Sequence, residues 1–177
     1  NSVDEYTMGN GKSIEVGIRN GEVRVRDYGR GIPLGKVVDC VSKINTGGKY
    51  DSRAFKKTVG LNGVGTKAVN ALSSSFQVDS FREGESKTAT FALGELQEDR
   101  DLESTTKRNG TKVTFIPDEG LFKGYKYRME HVEKLLWNYA YLNTGLSIYL
   151  NGDKFKSDNG LLDLLESSMD GKARYPI

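Results

Sequence analysis

The sequence predicts an α+β fold of two layers, in which helices cover one face of a mixed, mostly antiparallel sheet. Apolar and polar residues alternate on both sides of Asn20-Gly21, which is typical of two strands joined by a two-residue hairpin turn. Apolar residues recur at helical spacing between residues 129 and 142. Strands and helices do not alternate regularly along the chain, which disfavours a parallel βαβ sheet and favours helices packed on an antiparallel one.

Each element is predicted from the period of the apolar residues and from the turn residues between them. In chain order the predicted elements are strands at 13–19 and 22–26, helices at 37–44 and 66–74, strands at 76–82, 87–93 and 111–116, a helix at 129–142, strands at 146–150 and 154–155, and a helix at 161–168. Residues 45–60 have no sustained period, and a loop of that length is typically functional or disordered. We interpret it as a lid, and we interpret the polar residues 96–109 as a loose connection.

Composition limits the choice of function. With 177 residues and 36% hydrophobic content, the chain is expected to form one domain over residues 1–177. A net charge of +2 gives no independent indication of nucleic-acid binding. Short basic clusters are expected to be solvated surface. These clusters are Arg24 with Arg26, Lys56 with Lys57, and residues 123–128.

Cysteine and histidine are too few for several kinds of site. The single Cys40 excludes an internal disulfide, and the single His131 disfavours both a zinc site and a serine-protease triad. We find neither an apolar stretch long enough to span a membrane nor a signal peptide. A cytoplasmic setting without a membrane partner is therefore expected.

Residues 27–33 are the most informative segment, because an acidic residue at a strand end is followed by two glycines. A carboxylate accepts a hydrogen bond from the exocyclic amine of adenine, and glycine lets a flat ring approach the backbone. The same pattern occurs in ordinary hairpin turns, and the segment alone leaves both interpretations open. Gly60, Gly63 and Gly65 precede a helix whose N-terminal N–H groups favour phosphate.

Two common nucleotide-binding motifs do not fit these residues. Residues 60–67 read G-x-x-x-x-G-T-K, with the lysine and the hydroxyl residue in the reverse of the P-loop order. Gly29 and Gly31 are followed by Gly35, one position too late for the dinucleotide-binding fingerprint. We therefore exclude both a P-loop and a Rossmann fold.

The motifs resemble the GHKL nucleotide-binding family, which includes bacterial type II topoisomerases, histidine kinases, repair proteins and a heat-shock chaperone. The chain is most similar to the ATPase domain of the gyrase and topoisomerase IV B subunits. The resemblance is carried by residues 1–5, residues 27–33, residues 46–50 continuing through 60–73, and Gly110-Thr111. It implies the two-layer Bergerat fold of this family, with adenine between the helices and the sheet.

The resemblance implies a role for each residue of the adenine pocket. Asp27 is expected to accept from the exocyclic amine, assisted by Thr111 and a water molecule, and Gly31 is expected to lie under the base. Ile32 and Pro33 would line the pocket wall, although Pro33 also suits a purely structural turn. Arg82 resembles a rim arginine that in gyrase-like proteins also contacts aminocoumarin inhibitors.

The resemblance also implies the phosphate and metal contacts. Asn1 is expected to bind Mg²⁺, a hard cation that prefers oxygen ligands. Glu5 would pair with Arg30 at the pocket mouth, where an ordinary surface ion pair is the alternative. Lys49 would approach the phosphates from the lid, unless it is simply an exposed lysine. The backbone around the phosphates would come from Gly60, Leu61, Asn62, Gly63, Val64, Gly65 and Thr66.

In this family the general base for hydrolysis is a glutamate one helical turn before the magnesium-binding asparagine. The chain begins at Asn1. The resemblance therefore implies that the glutamate and a dimerising arm lie upstream, and that a transducer domain with a phosphate-sensing lysine follows residue 177. We expect the chain to bind ATP without hydrolysing it.

These expectations describe the ATP-binding domain of a type II topoisomerase B subunit, with ATP and Mg²⁺ as cofactors. The expected partners of the intact enzyme are DNA, the topoisomerase A subunit and a second B subunit that dimerises on ATP binding. Two alternatives remain: another GHKL ATPase or kinase, and a non-catalytic nucleotide-binding module.

Overall fold

The computed structural model describes residues 1–42 and 64–169. Those residues form five α-helices, nine strands and a short 3-10 turn at Leu34–Lys36. In chain order they are α1 Ser2–Thr7, β1 Ser13–Arg19, β2 Glu22–Asp27, α2 Val37–Ser42, α3 Val64–Ala71, β3 Ser73–Arg82, β4 Glu85–Ala92, β5 Glu95–Asp99, β6 Glu103–Ser104, β7 Gly110–Pro117, α4 Met129–Leu142, β8 Ser147–Leu150, β9 Asp153–Phe155 and α5 Leu161–Ser168.

The strands form one sheet in the order β5-β4-β3-β7-β2-β1-β8-β9, with β6 paired to β4. All pairs are antiparallel except β1 with β8, which run parallel. Asn20 and Gly21 between β1 and β2 have φ angles of 51° and 82°, which the predicted hairpin turn requires. The mixed, mostly antiparallel α+β fold that the sequence predicts is confirmed.

Two apolar clusters lie between the helices and the sheet. One packs Leu136 of α4 against β1, β8 and β9, and the other packs Val37 and Val41 of α2 against β3 and β4. The central strands β2 and β7 pair through Val25 and Val113, which extend the two clusters toward each other. The end of β2 therefore lies between the two apolar clusters, on the face of the sheet that the helices cover.

The opposite face of the sheet is polar. Asp79 is only 6% exposed there, and its carboxylate lies 2.8 Å from the Lys112 ammonium. The Thr88 hydroxyl donates to the same carboxylate at 2.7 Å. Because Lys112 and Thr88 stand directly opposite Asp79 in the two neighbouring strands, the ladder register itself brings the charges together.

Two element predictions are wrong in detail. Residues 96–109 contain β6 and most of β5, whose residues are all exposed and so lack the apolar alternation that would reveal a strand. Strand β3 begins at Ser73, three positions before the predicted start at residue 76. Helix α4 has the predicted bounds; its buried residues are Leu136 and Ala140, whereas Leu135 is 53% exposed.

Among residues 1–42 and 64–169, no helix combines the length and the apolar character that crossing a membrane would require.

Candidate functional site

The Asp27 carboxylate is the centre of the site. Asp27 is the last residue of β2, is 6% exposed and lies on the face of the sheet that the helices cover. Oδ1 accepts the backbone N–H groups of Gly29 at 3.0 Å and Thr111 at 3.1 Å, while Oδ2 accepts the Ser2 hydroxyl at 3.0 Å. Three donors therefore converge on this buried carboxylate. A carboxylate oxygen accepts more than one hydrogen bond, so Oδ2 can also receive an amine from a ligand.

Thr111 contributes to this arrangement through its backbone rather than through its side chain. It lies at the start of β7, opposite Ser80 of β3, and its N–H points at Asp27 although 84 positions separate the two in the chain. The family resemblance implies that Thr111 assists Asp27 at adenine, but it does not show which atom of Thr111 is used. Ser2 is a contact that sequence reasoning missed, because a lone serine in a short helix carries no distinguishing signal.

The glycines after Asp27 are required by close backbone approach. Gly31 has φ of 78°, and a Cβ there would lie 2.7 Å from the Phe81 carbonyl oxygen and 2.9 Å from Cγ of Arg82. A Cβ on Gly29 would lie 2.7 Å from the Glu5 carboxylate. Both glycines therefore have a packing reason for their identity, beside the role under a base that we predict for Gly31.

Ile32 and Pro33 occupy different environments. Ile32 packs against the α2 cluster, and its carbonyl accepts the hydroxyl of the fully buried Ser80 at 2.7 Å. Pro33 is exposed and precedes the 3-10 turn with φ of −51°, close to the angle at which its ring fixes the backbone. Ile32 is thus held by the α2 cluster and Pro33 begins the 3-10 turn, while the place of both residues in a pocket wall stays a prediction.

The expected pair between Glu5 and Arg30 is present at the entrance to the site. Oε1 of Glu5 lies 2.9 Å from Nη2 of Arg30, and Oε2 accepts both Nε at 3.1 Å and the Arg30 backbone N–H at 3.0 Å. This hydrogen bonding to Glu5 raises the pKa of the Arg30 guanidinium above its ordinary value. The pair fixes α1 to the glycine turn that follows Asp27.

We expect Arg30→Ala to change the free energy of unfolding by no more than about 1 kcal/mol, because exposed ion pairs contribute little. Because the Arg30 side chain is 56% exposed, water can replace most of the hydrogen bonding that Glu5 loses in this variant. Urea unfolding at low and at high salt measures the effect, which should shrink as salt rises. A loss of more than about 2 kcal/mol that salt does not reduce would contradict this assignment.

The start of the chain meets the start of α3. Asn1 precedes α1, and its side-chain amide donates to the Thr66 hydroxyl at 2.6 Å. Val64 and Gly65 in the first turn of α3 are exposed, and a Cβ on Gly65 would meet nothing within 4 Å. The structure therefore brings Asn1 and the N-terminus of α3 together. Five predicted residues lie outside the described ones: Lys49, Gly60, Leu61, Asn62 and Gly63.

Arg82 lies at the end of β3, beside Gly31. Its side chain is 31% exposed, and its Nη2 is 3.8 Å from the Glu83 carboxylate, a weak contact at the surface. This position beside the glycine turn agrees with a place at the rim of the site.

The expectation that Arg24 and Arg26 are both solvated surface is right for Arg24 and wrong for Arg26. Arg24 is exposed, whereas Arg26 is 8% exposed. The guanidinium of Arg26 donates to the Asp27 carbonyl at 2.6 Å. Burial lowers the pKa of Arg26, although a guanidinium remains charged at any physiological pH. Both arginines alternate with apolar valines, so the sequence offers no signal that separates them.

A cavity of about 490 Å³ lies on the polar face, away from Asp27. Its lining includes Gly17, Arg19, Glu22, Arg24 and Tyr149, and every lining residue is exposed or half-buried. It contains no buried titratable group, whereas the opposite side of β2 presents a buried carboxylate with converging donors. We therefore place the candidate site at Asp27.

No protein-family model matches the chain. Curated relatives do match it over nearly its whole length. It is 50% identical to the DNA topoisomerase 4 B subunit of Borreliella burgdorferi over 96% of the chain and 28% of the relative. The type 2 topoisomerase B subunit of Aquifex aeolicus is 35% identical over 97% of the chain and 24% of its own length. The DNA gyrase B subunit of Haloferax volcanii is 33% identical over 94% of the chain and 29% of its own length.

The crystal structure of the 43K ATPase domain of Thermus thermophilus gyrase B, in complex with an aminocoumarin, has the same fold. The TM-score is 0.80 with 26% sequence identity, over 99% of this chain and 48% of that one. The chain thus spans less than a third of the length of each of these three curated relatives and about half of this ATPase domain.

Proposed function

The chain belongs to the family of type II DNA topoisomerase B subunits, and we propose that it forms the ATP-binding domain of such a subunit. The observation that carries the proposal is the Asp27 carboxylate, buried at the end of β2 with Oδ1 occupied by two backbone donors. The exocyclic amine of adenine binds Oδ2, and the ring lies against the glycine turn at Gly31.

The phosphates lie toward the N-terminus of α3 in this proposal. Gly65 offers an open backbone there, and the positive end of the helix dipole favours anions. Lys49 and residues 60–63 belong to the same proposed phosphate site, as does Thr66. Arg82 contributes at the rim, where an aminocoumarin would also bind.

The residues present fit Mg²⁺. Asn1 supplies an amide oxygen and Thr66 a hydroxyl, both oxygen ligands of the kind that this hard cation prefers. The two side chains are neighbours, because the Asn1 amide nitrogen donates to the Thr66 hydroxyl at 2.6 Å. When bound, Mg²⁺ would neutralise negative charge on the phosphates. Asn1 would hold the ion, and the Thr66 hydroxyl would orient the Asn1 amide.

The wider function follows from the family. We infer that the intact protein uses ATP to drive DNA strand passage, together with a topoisomerase A subunit and a second B subunit, in the cytoplasm. Residues 1–177 would be a single ATP-binding domain within it.

Calorimetric titration of the chain with a non-hydrolysable ATP analogue tests the binding proposal. We expect saturable binding at one site per chain, with tighter binding in Mg²⁺ than in EDTA, because phosphate charge must be neutralised. A folded sample that binds no analogue in either condition would refute an ATP site. Equal affinity with and without Mg²⁺ would refute the metal assignment alone.

A further inference from the structure

The pairing of β2 with β7 stops one residue before Asp27. The last register pair joins Arg26 to Lys112. Beyond this pair, the Asp27 carboxylate links the two strand ends, because it accepts a hydrogen bond from the Thr111 N–H at 3.1 Å. The geometry of the candidate adenine site is therefore set where the regular ladder no longer holds the strands in register.

At that point the Arg26 guanidinium, which lies on the polar face of the sheet, links the two segments by hydrogen bonds to their backbone carbonyls. Nη1 donates to the Asp27 carbonyl at 2.6 Å. Nη2 donates to the Arg108 carbonyl at 2.5 Å and lies 3.4 Å from the Asn109 carbonyl. One fork thus joins the backbone of the adenine-site aspartate to the segment that leads into Thr111.

Aromatic rings hold the guanidinium in place. The Cζ atom of Arg26 lies 4.7 Å from the ring centre of Tyr28 and 4.6 Å from that of Phe81. Arg108 also lies over the Tyr28 ring, at 4.8 Å from its centre, and Lys107 lies over the Phe81 ring, at 5.1 Å. The Tyr28 hydroxyl is fixed by Glu15 at 2.6 Å. A guanidinium with this packing has little freedom to leave its carbonyl partners.

The backbone passes very close to this fork. A Cβ on Gly110 would lie 2.2 Å from the Asp27 carbonyl oxygen and 2.6 Å from Nη1 of Arg26. The chain therefore approaches Asp27 as closely as glycine allows immediately before Thr111. A small shift of residues 108–110 would move the Thr111 N–H relative to the Asp27 carboxylate.

We propose that Arg26 is a positioning residue for adenine recognition, acting from the face of the sheet opposite the ligand. Its two hydrogen-bonding nitrogens set the distance between the end of β2 and the start of β7. They thereby fix the Asp27 carboxylate, which accepts from the exocyclic amine, and the Thr111 N–H that holds this carboxylate. The inference rests on the proposed ATP site. It assigns Arg26 an effect on selectivity for the base, beyond any effect on folding.

Selectivity separates this role from a purely structural one. Inosine triphosphate has the phosphates and sugar of ATP but carries a carbonyl where adenine has the amine. A site built to bind the amine rejects that analogue, because the carbonyl oxygen would face the carboxylate. General loosening of the fold weakens both nucleotides together, whereas misplacement of Asp27 or Thr111 lowers the ratio of their affinities.

The experiment measures the dissociation constants of ATP and inosine triphosphate, with Mg²⁺, for the wild-type chain and for Arg26→Gln, Arg26→Lys and Arg24→Gln. Lysine keeps the charge of Arg26 but lacks the planar guanidinium whose two nitrogens reach the two carbonyls at a fixed separation. Arg24→Gln is the matched control, since Arg24 lies on the same strand and face but is exposed. We expect both Arg26 variants to lower the ATP preference by at least about fivefold, the effect of disturbing one good hydrogen bond. The control should keep the wild-type ratio.

An unchanged ratio in folded Arg26→Lys and Arg26→Gln would overturn the inference. If Arg26→Gln does not fold, Tyr28→Leu provides the second test, because it removes one ring from the guanidinium and leaves both carbonyl partners. An unchanged ratio in Arg26→Lys and Tyr28→Leu would overturn the inference equally. A wild-type chain that binds neither nucleotide would instead refute the proposed function.

Discussion

Asp27→Asn is expected to lower the affinity for an ATP analogue about 100-fold, or about 2.8 kcal/mol, while the chain stays folded. The asparagine oxygen can keep the two backbone hydrogen bonds that Oδ1 accepts from Gly29 and Thr111. The amide nitrogen then replaces Oδ2, and it presents a donor where the adenine amine also presents a donor. The charge-assisted hydrogen bond is lost and one polar group on each side is left unpaired.

Asp79→Asn is the matched control for this prediction. Asp79 is as buried as Asp27, at 6% exposure each, but faces the other side of the sheet and pairs with Lys112. We expect this variant to lower the midpoint of thermal unfolding, because Lys112 loses its partner, without changing affinity for the analogue. Calorimetry and thermal unfolding on both variants measure the two quantities. An Asp27→Asn chain that binds as tightly as wild type would remove Asp27 from the site.

Gly110→Ala is expected to destabilise the chain by more than about 3 kcal/mol, combining backbone strain with a steric clash. Gly110 has φ of 133°, and its Cβ would lie 2.2 Å from the Asp27 carbonyl oxygen. Neither the carbonyl nor the Arg26 guanidinium that bonds it can move without breaking contacts at the end of β2. Affinity for the ATP analogue should therefore fall as well.

Gly152→Ala separates the clash from the strain. Gly152 also has a positive φ, of 105°, but a Cβ there would meet nothing within 4 Å. This variant should cost only about 1–2 kcal/mol, the effect of an unfavourable φ alone. Urea unfolding of the two variants gives the comparison. Equal losses of stability would show that the close approach at Gly110 is unimportant.

The local parts of the fold could be predicted from the sequence. Asn20-Gly21 identified the first hairpin, and the alternation on either side placed Asp27 at a strand end, as the structure has it. These features depend on neighbouring residues, and turn chemistry or a period of two records them directly. The GHKL resemblance predicted that Thr111 assists Asp27 at the adenine, and the structure brings these two residues within hydrogen-bond distance of each other.

What the sequence could not show depends on distant partners. The exposed strand β5 forms because β4 offers an edge, and no pattern within residues 95–99 records that. Arg26 is buried because Tyr28 and Phe81 close around it, whereas Arg24, two positions earlier, remains exposed. Tertiary environment, which single-sequence reasoning does not see, decided both outcomes.

The central claim is that ATP binds at Asp27, on the helix-covered face of the sheet, and mapping the binding site tests this claim most directly. Two-dimensional NMR of the chain titrated with a non-hydrolysable ATP analogue and Mg²⁺ would follow each backbone amide. We predict saturable shifts that are largest at Gly29, Gly31 and Thr111, while Gly17 and Gly152 around the cavity on the polar face stay unchanged. Shifts confined to Gly17 and Gly152, or no saturable shift in a folded chain, would contradict an adenine site at Asp27.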